Sequence, residues 1–445
     1  MKIEQYVPEN LDIERLIEEN PPQFKFHKDY LVRILNLVTE IASYDHDLPG
    51  GYVPMNSQKL QQQGIRYYNE YLNYLLDQGI LLSDGYYIPN EKSTGYRFSE
   101  EYQVALKLVE ISKWTLVKKL LGNARWEPDR GKHPYLKKWF NDKLEIDEVG
   151  AMEYLSCSLR EDRETGDPNA WLKHNSSYIS VCKLKNREYY YSVDETAGRL
   201  HTNLTSLKSE LRNYITYDGQ ELVSVDFKNS QPVIATALLN PEFYSDSTSE
   251  ERINIHNISN SLSYSSTSLF PSIMLVESEL PLDTTDIQVF KEKASQGIIY
   301  EFIQEEIESR TGNCTVTDRR ALKEMMFTVL YSDNRFIGQP DAEPKRVFRD
   351  LFPPVYAVFK IIKRNNAAAL PILLQTIESE LMLNRIAKRI SEERPQLPIF
   401  TIHDSVATIA GNEEYVSAVM KDEMEKAIGI IPTVAVEYWN RVNCI

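Results

Sequence analysis

The stretch ELVSVDFKNSQPVIATALL, residues 221–239, decides how this chain is read. Leu222–Val225 is a short strand with β-branched residues, and it delivers Asp226 at its end. Lys228, Asn229, Ser230 and Gln231 break the strand. Pro232 then suits the first turn of the helix that VIATALL predicts. A carboxylate at a strand end, just ahead of a turn, is placed to bind a metal with help from an adjacent backbone carbonyl. Taken alone the pattern has a plainer reading, because strand-end aspartates often only cap the next helix.

Two later segments change its weight. In DRRALKEMMFTVLYSDN, residues 318–334, Arg319, Lys323, Phe327 and Tyr331 recur every four residues and so form one drifting stripe along a helix. Two cations at the N-terminal end, reinforced by the helix dipole, make a triphosphate clamp. The aromatic pair can stack on a base and sugar. The plainer alternative is a basic amphipathic helix with its aromatics in the core. In LPIFTIHDSVATIAGNEEYVSAVMKDEME, residues 397–425, two strands form a hairpin ahead of a helix, exposing Asp404 at the bend beside His403.

A strand aspartate, then an Arg-x3-Lys-x3-Phe-x3-Tyr helix, then a hairpin His-Asp resembles the ordered motifs A, B and C of family A DNA polymerases and phage-type single-subunit RNA polymerases. Three flanking segments extend the resemblance over residues 191–445. ETAGRLHTNLTSLKSELRNYI (195–215) is similar to the segment that holds primer–template, which implies that Arg199 lies near the growing end. QGIIYEFIQEEIESRTG (296–312) resembles the fingers helix before motif B. LPILLQTIESELMLNRI (370–386) resembles the helix whose glutamine, here Gln375, reaches the minor groove.

The resemblance implies an α+β fold: a right-hand polymerase palm and fingers. It also implies two Mg²⁺ ions about 3.5–4 Å apart, with Mn²⁺ as a substitute, held by Asp226 and Asp404. Arg319 and Lys323 are then expected to grip the triphosphate, with Lys323 protonating the pyrophosphate leaving group. Phe327 and Tyr331 are expected to line the nucleotide pocket and His403 to steady the primer end. The chain departs from the families in places. Where motif A of the DNA polymerases has a Glu that excludes the ribose 2′-hydroxyl stands Gln231, which can both donate and accept. Lys228 beside the metal site is unusual. Ser332 stands where a Gly normally follows the tyrosine, and the HDS bend is closer to the RNA polymerases.

Residues 24–105 predict a winged-helix-like domain: a helix in DYLVRILNLVTEIASY, a short helix near Ser57, a second helix YYNEYLNYLLDQ ending at Gly79, and strands at ILLS, YYI and GYRF. The second helix carries Glu70 and Asp77 but no cation, which favours protein docking over groove reading. Residues 1–23 form an N-terminal extension. Within it Asp12-Ile13-Glu14 reads as a surface helix rather than an exonuclease motif, having no apolar strand around it. Residues 106–190 form a helical, basic, thumb- or linker-like region. Its stretch 111–140 has eight Lys/Arg against two acids, interleaved with aromatics, and can track a single strand. Residues 243–268 are Ser/Asn-rich and predict a surface loop.

The net charge of −15 is awkward for phosphate contact and points either to loose unassisted binding or to a protein partner, such as a helicase or single-strand-binding protein, that supplies further contacts. Four scattered cysteines without a CxxC pair fit a reducing cytoplasm. The acidic, polar start is unlike a secretory leader, and no apolar run reaches the roughly 20 residues of a membrane span. The leading expectation is therefore a DNA-directed DNA polymerase acting on template and primer with dNTPs, of the kind a phage or mobile element carries for replication or priming. An RNA polymerase or primase using NTPs is the alternative within the class. A non-catalytic winged-helix replication initiator is the alternative outside it.

Overall fold

The computed structural model describes residues 2–45, 48–88, 92–124, 132–245, 251–258, 275–276, 280–311, 319–335 and 337–440. It is a mixed α+β protein with two hydrophobic cores. No helix among these residues is long and apolar enough to cross a membrane.

The first core runs in sequence from Val7 to Val117. Strand β1 (Ile3–Pro8) pairs with the distant β5 (Leu106–Ile111) over six residues, so the chain on either side of the helical segment closes on itself. Between them, β2 (Val53–Pro54), β3 (Leu81–Ser83) and β4 (Gly95–Phe98) form a three-stranded sheet in the order β2-β4-β3. It accompanies the helices Lys28–Ala42, Ser57–Gln62 and Tyr68–Asp77. The expected strand at Tyr86–Ile88 is instead a single bridge, Ile88 to Lys92. Asp12 caps the helix Ile13–Glu19 by accepting from the Arg15 amide at 3.1 Å, as a surface helix requires. This core reaches beyond 24–105 on both sides. Asp29 shows why: it accepts from the Ser112 and Lys113 amides at 2.7 and 2.6 Å, tying the helix Trp114–Ala124 to the helix Lys28–Ala42.

The second core extends from Leu136 to Trp439. Its main sheet takes β6 (Leu144–Ile146), β9 (Ile215–Tyr217), β10 (Gln220–Phe227), β11 (Ile399–Ile402) and β12 (Ser405–Ile409), in the order β11-β12-β10-β9-β6, after the small ribbon β7 (Tyr191–Val193) with β8 (Leu200–Thr202). A last strand, β13 (Val434–Tyr438), also pairs with β10, putting Glu437 opposite Ser224 and Ala435 opposite Asp226. The helix Glu413–Ile428 packs on this sheet, and the helices Arg319–Tyr331 and Ala369–Ser379 pack on each other within the same core. Residues Glu380–Ala387 continue Ala369–Ser379 as a π-helix, a wide-turn form that recurs at functional sites. Tyr135 donates its hydroxyl to the Leu383 carbonyl within that segment at 2.6 Å.

The two cores meet through the helix Ala170–Lys185. Asn175 donates to the Val104 carbonyl at 2.8 Å, and Lys183 reaches Glu40 at 3.5 Å. Most of the Ser/Asn-rich segment 243–268, and residues 125–131 of the basic stretch, lie outside the described residues.

Candidate active site

The run Leu222–Val225 is buried and Asp226 half-buried, so β10 carries its carboxylate out of the core at the strand's end. Asn229, at φ 55°, turns the chain into the helix Ser230–Ala235, in the left-handed region that asparagine tolerates better than most residues. The hairpin β11–β12 closes between Ile402 and Ser405, leaving His403 and Asp404 as its two-residue bend. His403 takes φ 54° there, a conformation that costs a non-glycine residue on the order of 1 kcal/mol. Asp226 pairs with Ser405 across β10 and β12, one residue from Asp404.

This pairing has an electrostatic consequence. Burial first, and the Asp404 carboxylate second, push the Asp226 pKa up to about 7, while Lys323 pulls it down. The Asp226 Oδ1 atom is buried without a hydrogen-bond partner. An orphaned acceptor beside a second carboxylate, with hard oxygen donors only, fits a divalent cation. Among the described residues there is no group of three or more His, Cys, Asp or Glu able to hold a metal, so the aspartate pair is the candidate.

The helix Arg319–Tyr331 shows two faces. Leu322, Met325, Met326, Val329 and Leu330 are buried, whereas Arg319, Lys323 and Phe327 are exposed and Tyr331 is half-buried. Phe327 is thus no core residue, being 37% exposed. Its ring lies 5.5 Å from that of Tyr331, and the Lys323 ammonium sits 5.6 Å from its centre. Arg319 donates to Asn229 Oδ1 at 3.4 Å and pairs with Glu301 at 3.4 Å, so the stripe starts against the turn that follows Asp226. At the far end Ser332, standing where the resembled families have a glycine, bonds back to the Thr328 carbonyl. Buried Lys363 closes the helix by donating to the carbonyls of Val329 at 2.6 Å and Ser332 at 3.0 Å.

Gln231 and Arg199 meet at Glu378, on the helix Ala369–Ser379. Arg199 forms an ion pair with this carboxylate, which is 3% exposed. Gln231 Nε2 donates to it at 3.4 Å, and Tyr331 donates its hydroxyl to Gln231 Oε1 at 3.0 Å. Gln375 lies one turn earlier on the same helix, half-buried, its carbonyl accepting from Ser379 Oγ at 2.9 Å. His403 is exposed at the hairpin bend. Desolvation by the protein around it, then Arg199, lower its pKa. Arg199, Glu378, Thr401 and His403 help to line a cavity of about 10 Å³, the size of one water.

The structure therefore brings Asp226, Asp404, Lys323, Arg319, Tyr331, Gln231, Arg199 and His403 into one neighbourhood, with Phe327 and Gln375 at its edges. Sequence reasoning missed Glu378, Glu437 and Arg212. Glu437 faces the same side of the sheet as Asp226 and adds to the charge raising its pKa. Arg212, held down in pKa by burial, feels both carboxylates. Glu378 carried one usable signal: it stands a single helical turn after Gln375.

No family model and no curated protein matches the chain. Among solved structures it is similar to the POL domain of Pol1 from M. smegmatis in complex with DNA primer-template and dNTP. The identity is 11%, 74% of this chain and 72% of that chain are covered, and the TM-score is 0.32, a likeness too distant to set fold or activity.

Proposed function

We propose that the chain is a template-directed nucleotidyltransferase, a DNA polymerase that extends a primer. The observation that carries this reading is the orphaned Asp226 Oδ1, forced beside Asp404 while Lys323 projects from the facing helix. Two like charges at converging strand ends raise each other's cost unless a cation lies between them.

In this reading Asp226 and Asp404 hold two Mg²⁺ ions, or Mn²⁺, which when bound supply Lewis acidity at the attacking oxygen and the triphosphate. Arg319 and Lys323, exposed along one stripe, bind the phosphates. Attack by the primer 3′-oxygen, whose proton is lost to water, forms a bond to the α-phosphorus and breaks the bond between that phosphorus and the α–β bridging oxygen. Lys323 gives a proton to the departing pyrophosphate. Phe327 and Tyr331 offer ring faces to the base and sugar. His403, together with Arg199 and Gln375, positions the primer end.

The N-terminal unit is proposed to be winged-helix-like and to dock protein. The outward residues of the helix Tyr68–Asp77 are Asn69, Glu70, Asn73 and Asp77, which offer a phosphate no cation.

Incubating the protein with Mg²⁺ and primed or unprimed single-stranded DNA, with dNTPs and NTPs supplied separately, tests the proposal. Extension of primed DNA that disappears in Asp226→Ala and in Asp404→Ala is the expected result. Products without primer would reassign it as a primase or RNA polymerase. No product under any condition, or activity unchanged in both variants, would sink it.

A further inference from the structure

The helix Trp114–Ala124 has no part in the chemistry above, and its composition is unlike that of the chain as a whole. Residues 111–124 carry Lys113, Lys118 and Lys119 and not one Asp or Glu, in a protein of net charge −15. Leu116 and Val117 are fully buried in the first core, which fixes the rotation of the helix and turns Trp114, Thr115, Lys118 and Lys119 to solvent. Elsewhere in this unit Lys2, Lys28 and Lys92 are each neutralised by a carboxylate, from Glu110, Glu14 and Asp84 respectively. Among the described residues no carboxylate pairs with Lys113, Lys118 or Lys119. Their charge is left for an anion from outside the chain, and a row of cations suits a row of phosphates.

Trp114 narrows the choice of anion. It is 64% exposed, and the Lys118 ammonium lies over its ring, 4.9 Å from the centre. A base stacked on this indole would have a cation beside it for its own phosphate. Lys119 reaches the other way and donates to the Gln62 carbonyl at 2.9 Å, which carries the basic surface toward the turn where Arg66 and Tyr67 are exposed. An ammonium has three N–H groups, so Lys119 keeps donors for a phosphate. Bases paired in a duplex are already stacked on both faces, whereas an unpaired base has a face to offer the ring. An anionic membrane fits less well, because the apolar side of the helix is buried in the core and cannot enter lipid.

We infer that the Trp114–Lys118 face of the N-terminal unit binds single-stranded nucleic acid, at a site separate from the aspartate pair. The acidic helix Tyr68–Asp77 of the same unit stays available to a protein. The inference goes beyond the polymerase reading and needs neither metal nor nucleotide.

The full-length protein in EDTA is titrated, with anisotropy as the readout, against fluorescent oligo(dT) and oligo(U), each about twelve nucleotides long, and against the oligo(dA)·oligo(dT) duplex. Wild type is expected to bind a single strand more tightly than the duplex, and the tighter of the two single strands names the source. Trp114→Ala should weaken that binding roughly tenfold, while Trp114→Phe, which keeps a ring, should stay within about threefold of wild type. Lys118→Ala should flatten the slope of log Kd against log salt, between about 50 and 200 mM, by about 0.7, the share of one phosphate on a single strand. A lysine of structural use alone would leave that slope where it was.

Trp114→Ala with wild-type affinity for both single strands overturns the site, as does a wild type that binds neither. Equal weakening on duplex and single strand overturns the choice of an unpaired base. Vesicles of phosphatidylcholine and phosphatidylserine bound by wild type but not by Trp114→Ala, at unchanged oligonucleotide affinity, overturn it in favour of a membrane surface. None of these titrations depends on primer extension, so this inference and the polymerase reading fail separately.

Discussion

Asp226 stands opposite Ser405 in the β10–β12 ladder, one residue from Asp404, and burial together with that neighbour holds its carboxyl at a pKa of about 7. An unfolded aspartate titrates near 3.9. Between roughly pH 4 and 7 the folded chain therefore keeps a proton that the unfolded chain has lost. The stability this group contributes is complete below pH 4 and is lost as pH rises through about 7. Asp226→Asn carries no such penalty. In metal-free protein with EDTA it should raise Tm by a few degrees at pH 8, an effect on the order of 2 kcal/mol. The gain should close toward pH 4.5 and shrink when Mg²⁺ is added to wild type. Parallel Tm curves for variant and wild type from pH 4.5 to 8 would contradict the shift.

Lys323 pulls the same carboxyl down. Because it is exposed, Lys323→Ala should leave Tm within about 0.5 kcal/mol of wild type in stability. Loss of a general acid and a phosphate contact should nevertheless cut kcat by roughly 10²–10⁴. Single-nucleotide incorporation under saturating dNTP measures it, and a fall below threefold (about 0.6 kcal/mol) would remove Lys323 from the chemistry.

What could be read from the chain was local. The strand ending at Asp226, the bend at His403-Asp404 and the helix Arg319–Tyr331 each announce themselves through short-range periodicity and turn residues, and each lies where expected. The missed features depend on pairing across long separations. Glu437 reaches the Asp226 side of the sheet because β13 docks on β10 from more than 200 residues away. β1 joins the first core because β5, a hundred residues later, completes its ladder. Glu378 reads in sequence as one more surface acid on an amphipathic helix. Arg199, 179 residues earlier, and the Gln231 amide make its burial tolerable.

The contact between the two cores should be acid-sensitive. Burial alone would raise the Glu40 pKa, but Arg33 and Lys183 hold it at about 2. Its stabilisation is thus complete above about pH 4.5 and is lost as pH falls toward 2. Glu40→Gln leaves Arg33 and Lys183 buried beside a neutral amide and should cost on the order of 3 kcal/mol at pH 7. Calorimetry should show the transition of the N-terminal core moving down while that of the sheet core stays. The deficit relative to wild type should narrow near pH 3, and an unmoved N-terminal transition would refute the role of the pair.

Lys363 poses the sharpest balance. It is 3% exposed, caps the helix Arg319–Tyr331 through the Val329 and Ser332 carbonyls, and has its pKa pushed down to about 8 by burial first and Lys345 second. At pH 7 the folded chain carries that charge at a cost of about 3 kcal/mol relative to the unfolded chain. Lys363→Met removes this cost, but it orphans two carbonyls, a loss of roughly 2–3 kcal/mol. The two nearly cancel, so the variant should match wild-type Tm at pH 7. As pH rises from 8 to 10 the wild-type lysine is neutral when folded and still charged when unfolded, so wild-type stability rises while the variant gains nothing. Lys363→Met should therefore fall progressively below wild type over that window, by on the order of 2 kcal/mol at pH 10. A difference that does not depend on pH would mean the ammonium is not buried as a charge. At neutral pH the same variant should reveal a second role of the cap, because a loosened helix end deprives the Tyr331 hydroxyl of its fixed approach to Gln231. The KM for dNTP should then rise several-fold at unchanged Tm, which a lysine serving stability alone would not cause.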